Sequence, residues 1–216
     1  MVYYSVCCFR LGNVEKGVST LEQQFRKTET GLIYQTLGYL YVEQYDQARY
    51  PDLDCAAILA KEPAEEPAPA EESAPADEGK PAEETQAAEA EQSAEETVSP
   101  EEAWNAGRKK AEAFIRKSLE YDDEDPICLD NMGQFVYRVL GDKAAAKQWF
   151  EKAISFKANQ IDTLWFLSRY DEEAGDLKGA LEKLEEAAEG RFSPLNYCSK
   201  ETVLKEIARL KGATEA

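Results

Sequence analysis

The 216-residue chain contains no histidine, which removes Ser-His and Cys-His nucleophile pairs and the usual zinc sites at one stroke. Five cysteines and a high density of carboxylates are the groups left with reactive potential. Cys7, Cys8, Cys55, Cys128 and Cys198 form no C-x-x-C pair and are odd in number, so a disulfide framework is not expected. Cys7 and Cys8 are adjacent and could make a redox or metal pair. Neighbours on a helix point about 100° apart, however, and only Arg10 lies near in sequence to activate a thiol, so both read as structural, buried residues. The carboxylates are concentrated. Between Glu62 and Val98 thirteen Glu or Asp stand against Lys80 alone, and this segment carries most of the net charge of −18. A loop for a hard cation needs oxygens alternating around a glycine turn, whereas proline interrupts here; a solvated acidic segment is the reading. Its prolines, at 63, 67, 69, 75 and 81, never fall three apart, so no P-x-x-P ligand is present. Outside it the charge is ordinary, and no cluster of Lys and Arg suits a nucleic-acid surface. With no nucleophile–base pair and no phosphate loop, an enzyme is not expected, nor a cofactor or metal.

The elements explain what the chemistry does not. Asp142, Ala146, Phe150 and Ala153 recur as Asp176, Ala180, Leu184 and Ala187, each shifted by 34 residues, a period that fits two helices joined by a tight turn. Leu140-Gly141-Asp142 and Ala174-Gly175-Asp176 supply that turn, with Gly ending one helix and Asp capping the next. Leu11-Gly12-Asn13 and Glu43-Gln44-Tyr45-Asp46 hold the same place in two earlier units. Asp125 caps a helix with Pro126 at its first position, running to about Val139. Leu129, Met132 and Gly133 share one stripe of it, and Ala146, Phe150 and Ala153 answer on the following helix. The small Gly133 lets the two come close.

This pattern resembles the tetratricopeptide repeat: a Leu-Gly-like pair and a Tyr in the first helix, then Ala, a large apolar residue and Ala in the second. Four units can be placed, over about three quarters of the chain. The first starts in mid-helix at Met1, with Tyr4, Gly12 and Leu21 in family positions and Gly17 and Gln24 replacing the expected alanines. The second has Tyr34, Leu37, Gly38 and Tyr41, then Ala111, Ile115, Ser118 and Leu119. The third carries one extra residue before Gly141, which displaces Tyr137. The fourth keeps Leu164 and Leu167 but has Ser168 and Asp171 where Gly and Tyr are usual. The resemblance implies an all-α, right-handed α-solenoid of about four helix pairs. Residues 1–46 would form unit one and the first helix of unit two, 99–191 the rest of unit two with units three and four, and 192–216 a capping helix and tail. Ser199 caps that last helix, and Val203, Leu204, Ile207 and Leu210 make its apolar face, closing the array as a terminal unit requires.

Residues 47–98 read as an insertion within unit two, a short helix over Asp52 to Lys61 followed by a disordered acidic stretch, since Glu, Ala, Pro, Ser, Gln and Thr cannot bury enough apolar surface to offset chain entropy. Ser99-Pro100-Glu101-Glu102 is a capping box that restarts the helix. In this family first helices line a concave groove, so the resemblance implies a partner-binding surface of Val6, Phe9, Gln35, Tyr39, Val42, Asp130, Gln134, Tyr137, Trp165 and Arg169. The competing reading has Tyr39 and Tyr137 only padding the packing between helices, and Trp149 packs at an edge. Asn131 matches a carboxylate-gripping position of chaperone-binding members, but Gln35, Tyr39, Asp162 and Phe166 stand where the rest of that clamp would be basic or Asn, so Asn131 reads as a structural hydrogen-bonder. The expected function is a non-enzymatic scaffold holding a protein or peptide partner. The alternative is a self-associating module, a homo-oligomer through the first helix, where Val2, Tyr3, Val6 and Phe9 lack cover. No segment approaches the roughly 20 apolar residues of a membrane helix, so a cytoplasmic location is expected, or a membrane-associated one if the chain extends upstream of Met1.

Overall fold

A computed structural model of the chain describes residues 1–61 and 98–214. The described residues are all-α, forming α1 (Val2–Arg10), α2 (Val14–Phe25), α3 (Gly31–Tyr45), α4 (Cys55–Ala60), α5 (Pro100–Tyr121), α6 (Pro126–Gln134), α7 (Lys143–Phe156), α8 (Ile161–Glu173), α9 (Leu177–Glu189) and α10 (Lys200–Thr214). A 3-10 turn follows α3 at Gln47–Arg49, and a π turn at Phe135–Val139 prolongs α6. Four pairs are formed by α1 with α2, α3 with α5, α6 with α7 and α8 with α9, and α10 packs on α9. First helices also meet one another, α1 against α3 and α3 against α6.

The turns work as their residues require. Gly12, Gly141 and Gly175 have φ of 83°, 74° and 83°, the left-handed region where a Cβ is strained. Asn13, Asp142 and Asp176 follow them and accept from the backbone N–H of Lys16, Ala145 and Gly179 at 3.0, 2.9 and 2.9 Å, satisfying donors the helix leaves unpaired. The 34-residue stripe is the core: Ala146, Phe150 and Ala153, like Ala180, Leu184 and Ala187, are fully buried. Gly133 lies under the Phe150 ring, where an added Cβ would sit 2.7 Å from Cε1.

The insertion leaves α3 and returns without parting its pair. Ser99 and Glu102 form the reciprocal capping box, and Trp104, buried, donates its indole N–H to the Tyr45 carbonyl at 3.3 Å. The short helix expected over 52–61 is α4. Lys61 pairs with Glu101 at 3.9 Å, so the two ends of the acidic stretch stand side by side. The expectation of disorder over 62–98 falls, but for Val98, outside the described residues.

Two expectations are corrected. Cys8 is buried but Cys7 is exposed, as the turn of a one-sided helix demands of adjacent residues. On α10, Val203, Ile207 and Leu210 are buried while Leu204 is exposed; it lies about a quarter of a turn off the stripe facing α9. Among the described residues no helix is long and apolar enough to cross a membrane.

Candidate binding groove

The first helices α3, α6 and α8 bring their N-terminal halves around a cleft of about 480 Å³. Leu32, Gln35, Thr36 and Tyr39 line it from α3, Ile127, Asp130 and Asn131 from α6, and Ile161 and Asp162 from α8. The fourth wall is the connection between α9 and α10, through Gly190, Arg191, Ser193, Leu195 and Asn196.

A chain of buried polar groups ties the three helices together beneath this cleft. Thr163 donates to Asp130 at 2.6 Å, Gln134 donates to the other oxygen of Asp130 at 2.7 Å, and Arg138 donates to Gln134 at 2.8 Å. Arg138 then turns to α3 and its end, where it bonds Asp46 at 2.6 and 2.9 Å and pairs with Glu43 at 2.7 Å. Burial opposes the guanidinium charge, but Glu43 and Asp46 outweigh it and raise the Arg138 pKa. Two further acids have no ion pair among the described residues. Burial, and then repulsion from Asp130, raises the pKa of Asp162, against the pull of the Tyr197 N–H, Asn196 and Arg138. Burial likewise raises Asp130, in spite of Thr163, Gln134 and Arg138. Taking a carboxylate out of water disfavours its charged form unless compensated.

The π turn decides what faces the groove from α6. Leu140 N–H bonds the Phe135 carbonyl at 3.1 Å, five residues back, so the extra residue of unit three is absorbed inside the helix. Tyr137 thereby packs toward α7 and α8, its ring 5.1 Å from Phe166 and 6.5 Å from Phe150, much as Tyr41 packs 5.4 Å from Phe114 of α5. Arg138 takes the register position that Val42 holds in α3, below the cleft. Counting residues without the bulge points to Tyr137 instead; the surplus residue was the only signal in the sequence for this shift.

The other expected groove residues are distributed unevenly. Tyr39 and Asp130 are buried in the cleft floor, and Val42 and Gln134 are fully buried below it. Phe9 leans edge-on against Tyr39 at 5.8 Å, and half-buried Gln35 lines the cleft and donates to Asp125. Trp165 and Arg169 lie apart from that cleft. The Arg169 guanidinium sits 4.6 Å over the Trp165 ring and pairs with Glu172 and Glu206 at 3.3 Å each, bridging α8 to α10. Asn131 donates to the Gln35 carbonyl at 2.9 Å and is 2% exposed, a structural bond between α6 and α3. Tyr197, which no periodicity marks, lies on this face too: its ring is 5.0 Å from Phe166 and 4.3 Å from the Arg138 guanidinium.

The chain is similar to a crystal structure of a thermophilic TPR protein from Thermus thermophilus, with 12% identity, 97% of this chain and 96% of that chain covered, and a TM-score of 0.43. No family model matches the chain, and no curated protein matches it.

Proposed function

We propose that this protein is a non-enzymatic scaffold of the tetratricopeptide-repeat kind, which holds an extended segment of a protein partner in the cleft between α3, α6 and α8. The observation that carries this reading is the cleft itself, a concavity of about 480 Å³ with apolar Leu32, Ile127 and Ile161 beside the amides of Gln35, Asn159 and Asn196. Apolar walls with a few placed polar groups are what a bound segment needs for affinity and orientation. The net charge of −18 favours a partner of basic character, since complementary charge steers encounter. Five unpaired thiols, four of them buried, fit a reducing compartment such as the cytoplasm.

Site-specific photo-crosslinking in the native cell tests the reading. A crosslinker at Leu32 or Asn159, both on the cleft, is expected to capture a defined partner. The same group at Lys178, on the outward side of α9, is expected to capture none. Equal capture from both faces would refute the groove as the binding surface.

Self-association is the second reading, favoured by α1. Tyr3 is 87% exposed and Leu11 86% exposed, with Cys7 between them at helical spacing. Sedimentation over a concentration series, with Tyr3→Glu as the comparison, is expected to show a dimer that the variant abolishes; a monomer throughout rejects it.

A further inference from the structure

The connection between α9 and α10 is longer than its counterparts. Four residues separate α5 from α6 and α7 from α8, whereas ten, 190–199, separate α9 from α10. The added length does not loop into solvent; it walls one side of the cleft and lays Tyr197 on the same face of the helices. Tyr197 donates its backbone N–H to both oxygens of Asp162 at 3.1 Å, and the neighbouring Asn196 side chain favours the charged form of that carboxylate. The Tyr197 ring rests on a shelf made by Phe166 at 5.0 Å and Arg138 at 4.3 Å. Leu195 packs, half-buried, against the main core cluster.

These are the contacts of a bound peptide. The stretch has no regular secondary structure, its backbone reaches a buried acid, and its aromatic side chain fills a prepared shelf. It is also built to come away as a unit. Ser193 N–H donates to Asn196 Oδ1 at 2.6 Å and Leu195 N–H to Ser193 Oγ at 3.2 Å, so the turn is held by its own bonds. The Tyr197 residue remains 40% exposed, and Ser193 and Pro194 are exposed, while Phe192 and Cys198 anchor the two ends in the cluster between α9 and α10.

We propose that residues 193–197 are an intramolecular ligand of the groove face, held on the Phe166–Arg138 shelf beside the cleft. The partner is a polypeptide segment that lays an aromatic side chain on the Phe166–Arg138 shelf and a backbone N–H on Asp162, and it displaces the strap to do so. This rests on the groove reading above and adds the partner's chemistry and a closed state to it. The acids at the site carry the selectivity. Arg138 is already met by Glu43 and Asp46, so a segment with a carboxylate beside its aromatic residue would be repelled by those two acids. A strap that covers the shelf most of the time lowers the apparent affinity for a partner of that shelf by the fraction of molecules in which it is open.

A labelled peptide of residues 191–199, with Cys198→Ser to avoid thiol chemistry, is the probe, titrated into the full chain by fluorescence anisotropy. The Tyr197→Ala chain, whose own strap has lost its ring, is expected to bind it at least roughly tenfold more tightly than the wild-type chain. A peptide carrying Tyr197→Ala is expected to bind neither chain. Equal affinity for the two chains, or binding that ignores the peptide's tyrosine, overturns the proposal. Circular dichroism establishes that the variant is folded; if it is not, Asn196→Ala, which removes the turn bond and a contact to Asp162 but leaves the ring, is expected to tighten binding in the same direction, and no tightening overturns the proposal. Crosslinking from Leu32 reports on the cleft, whether or not the partner reaches the shelf that Tyr197 covers. Capture there with no peptide binding here rejects the strap alone, whereas failure of both rejects the groove as well.

Discussion

Gly133→Ala is expected to destabilise a protein in which the same change at an open helical site would stabilise. Helix propensity favours Ala over Gly by about 1 kcal/mol, so the sign depends on space. An added Cβ would meet Phe150 at 2.7, 2.8 and 3.1 Å, all three atoms in the ring. The ring has nowhere to retreat, because it is fully buried and stacks on Phe166 at 4.8 Å with 6° between planes. Overpacking of this kind costs typically about 1–3 kcal/mol, and three close ring contacts argue for the upper part of that range. The net loss is then about 1–2 kcal/mol, or a fall in Tm of roughly 2–8 °C at this size. Gly212→Ala, in the last turn of α10 where nothing lies within 4 Å, is the control and should raise Tm slightly. Thermal unfolding followed at 222 nm measures both. If Gly133→Ala melts at or above wild type while the control behaves, the close approach of α6 and α7 is not as described.

Arg138→Ala strands Glu43 and Asp46 half inside the protein, and breaking such a pair costs about 3–5 kcal/mol; urea unfolding that moves by less than about 1 kcal/mol would mean that those acids are solvated. Asp162 and Asp130 have pKa values raised by burial, so the native chain holds protons that the unfolded chain releases. That contribution is complete below the ordinary carboxylate pKa of about 4 and is lost as pH rises through the raised native values. Asp162→Asn should therefore gain stability over wild type progressively as pH is raised from 4, and parallel pH profiles for the two chains would contradict this. Replacing residues 63–96 by a short Gly-Ser linker should leave Tm within a degree or two, because Lys61 and Glu101 already bring the ends together and loop closure depends only weakly on length; a loss of cooperative unfolding would show that the segment supports the fold.

The sequence by itself determined what local chemistry controls. Asn13, Asp142, Asp176, Asp125 and Ser99 cap helices because each side chain reaches only two or three residues along its own chain, and the 34-residue recurrence of small and large apolar residues marks which faces must be buried. Those signals carry the helix boundaries, the pairing and the core. The groove was legible only in outline. Gln35, Tyr39 and Asp130 do line the cleft, but the surplus residue of unit three could have gone into a turn or into a helix, and only the packing of Tyr137 against Phe150 and Phe166 chose a π turn and presented Arg138. Tyr197 had no signal at all. It belongs to an aperiodic connection, and its partners Asp162, Phe166 and Arg138 lie 31 to 59 residues away. Capping and periodicity act over a few residues and are written into the residues themselves, whereas the place where an aperiodic connection packs is chosen by side chains that meet only after every helix has been placed.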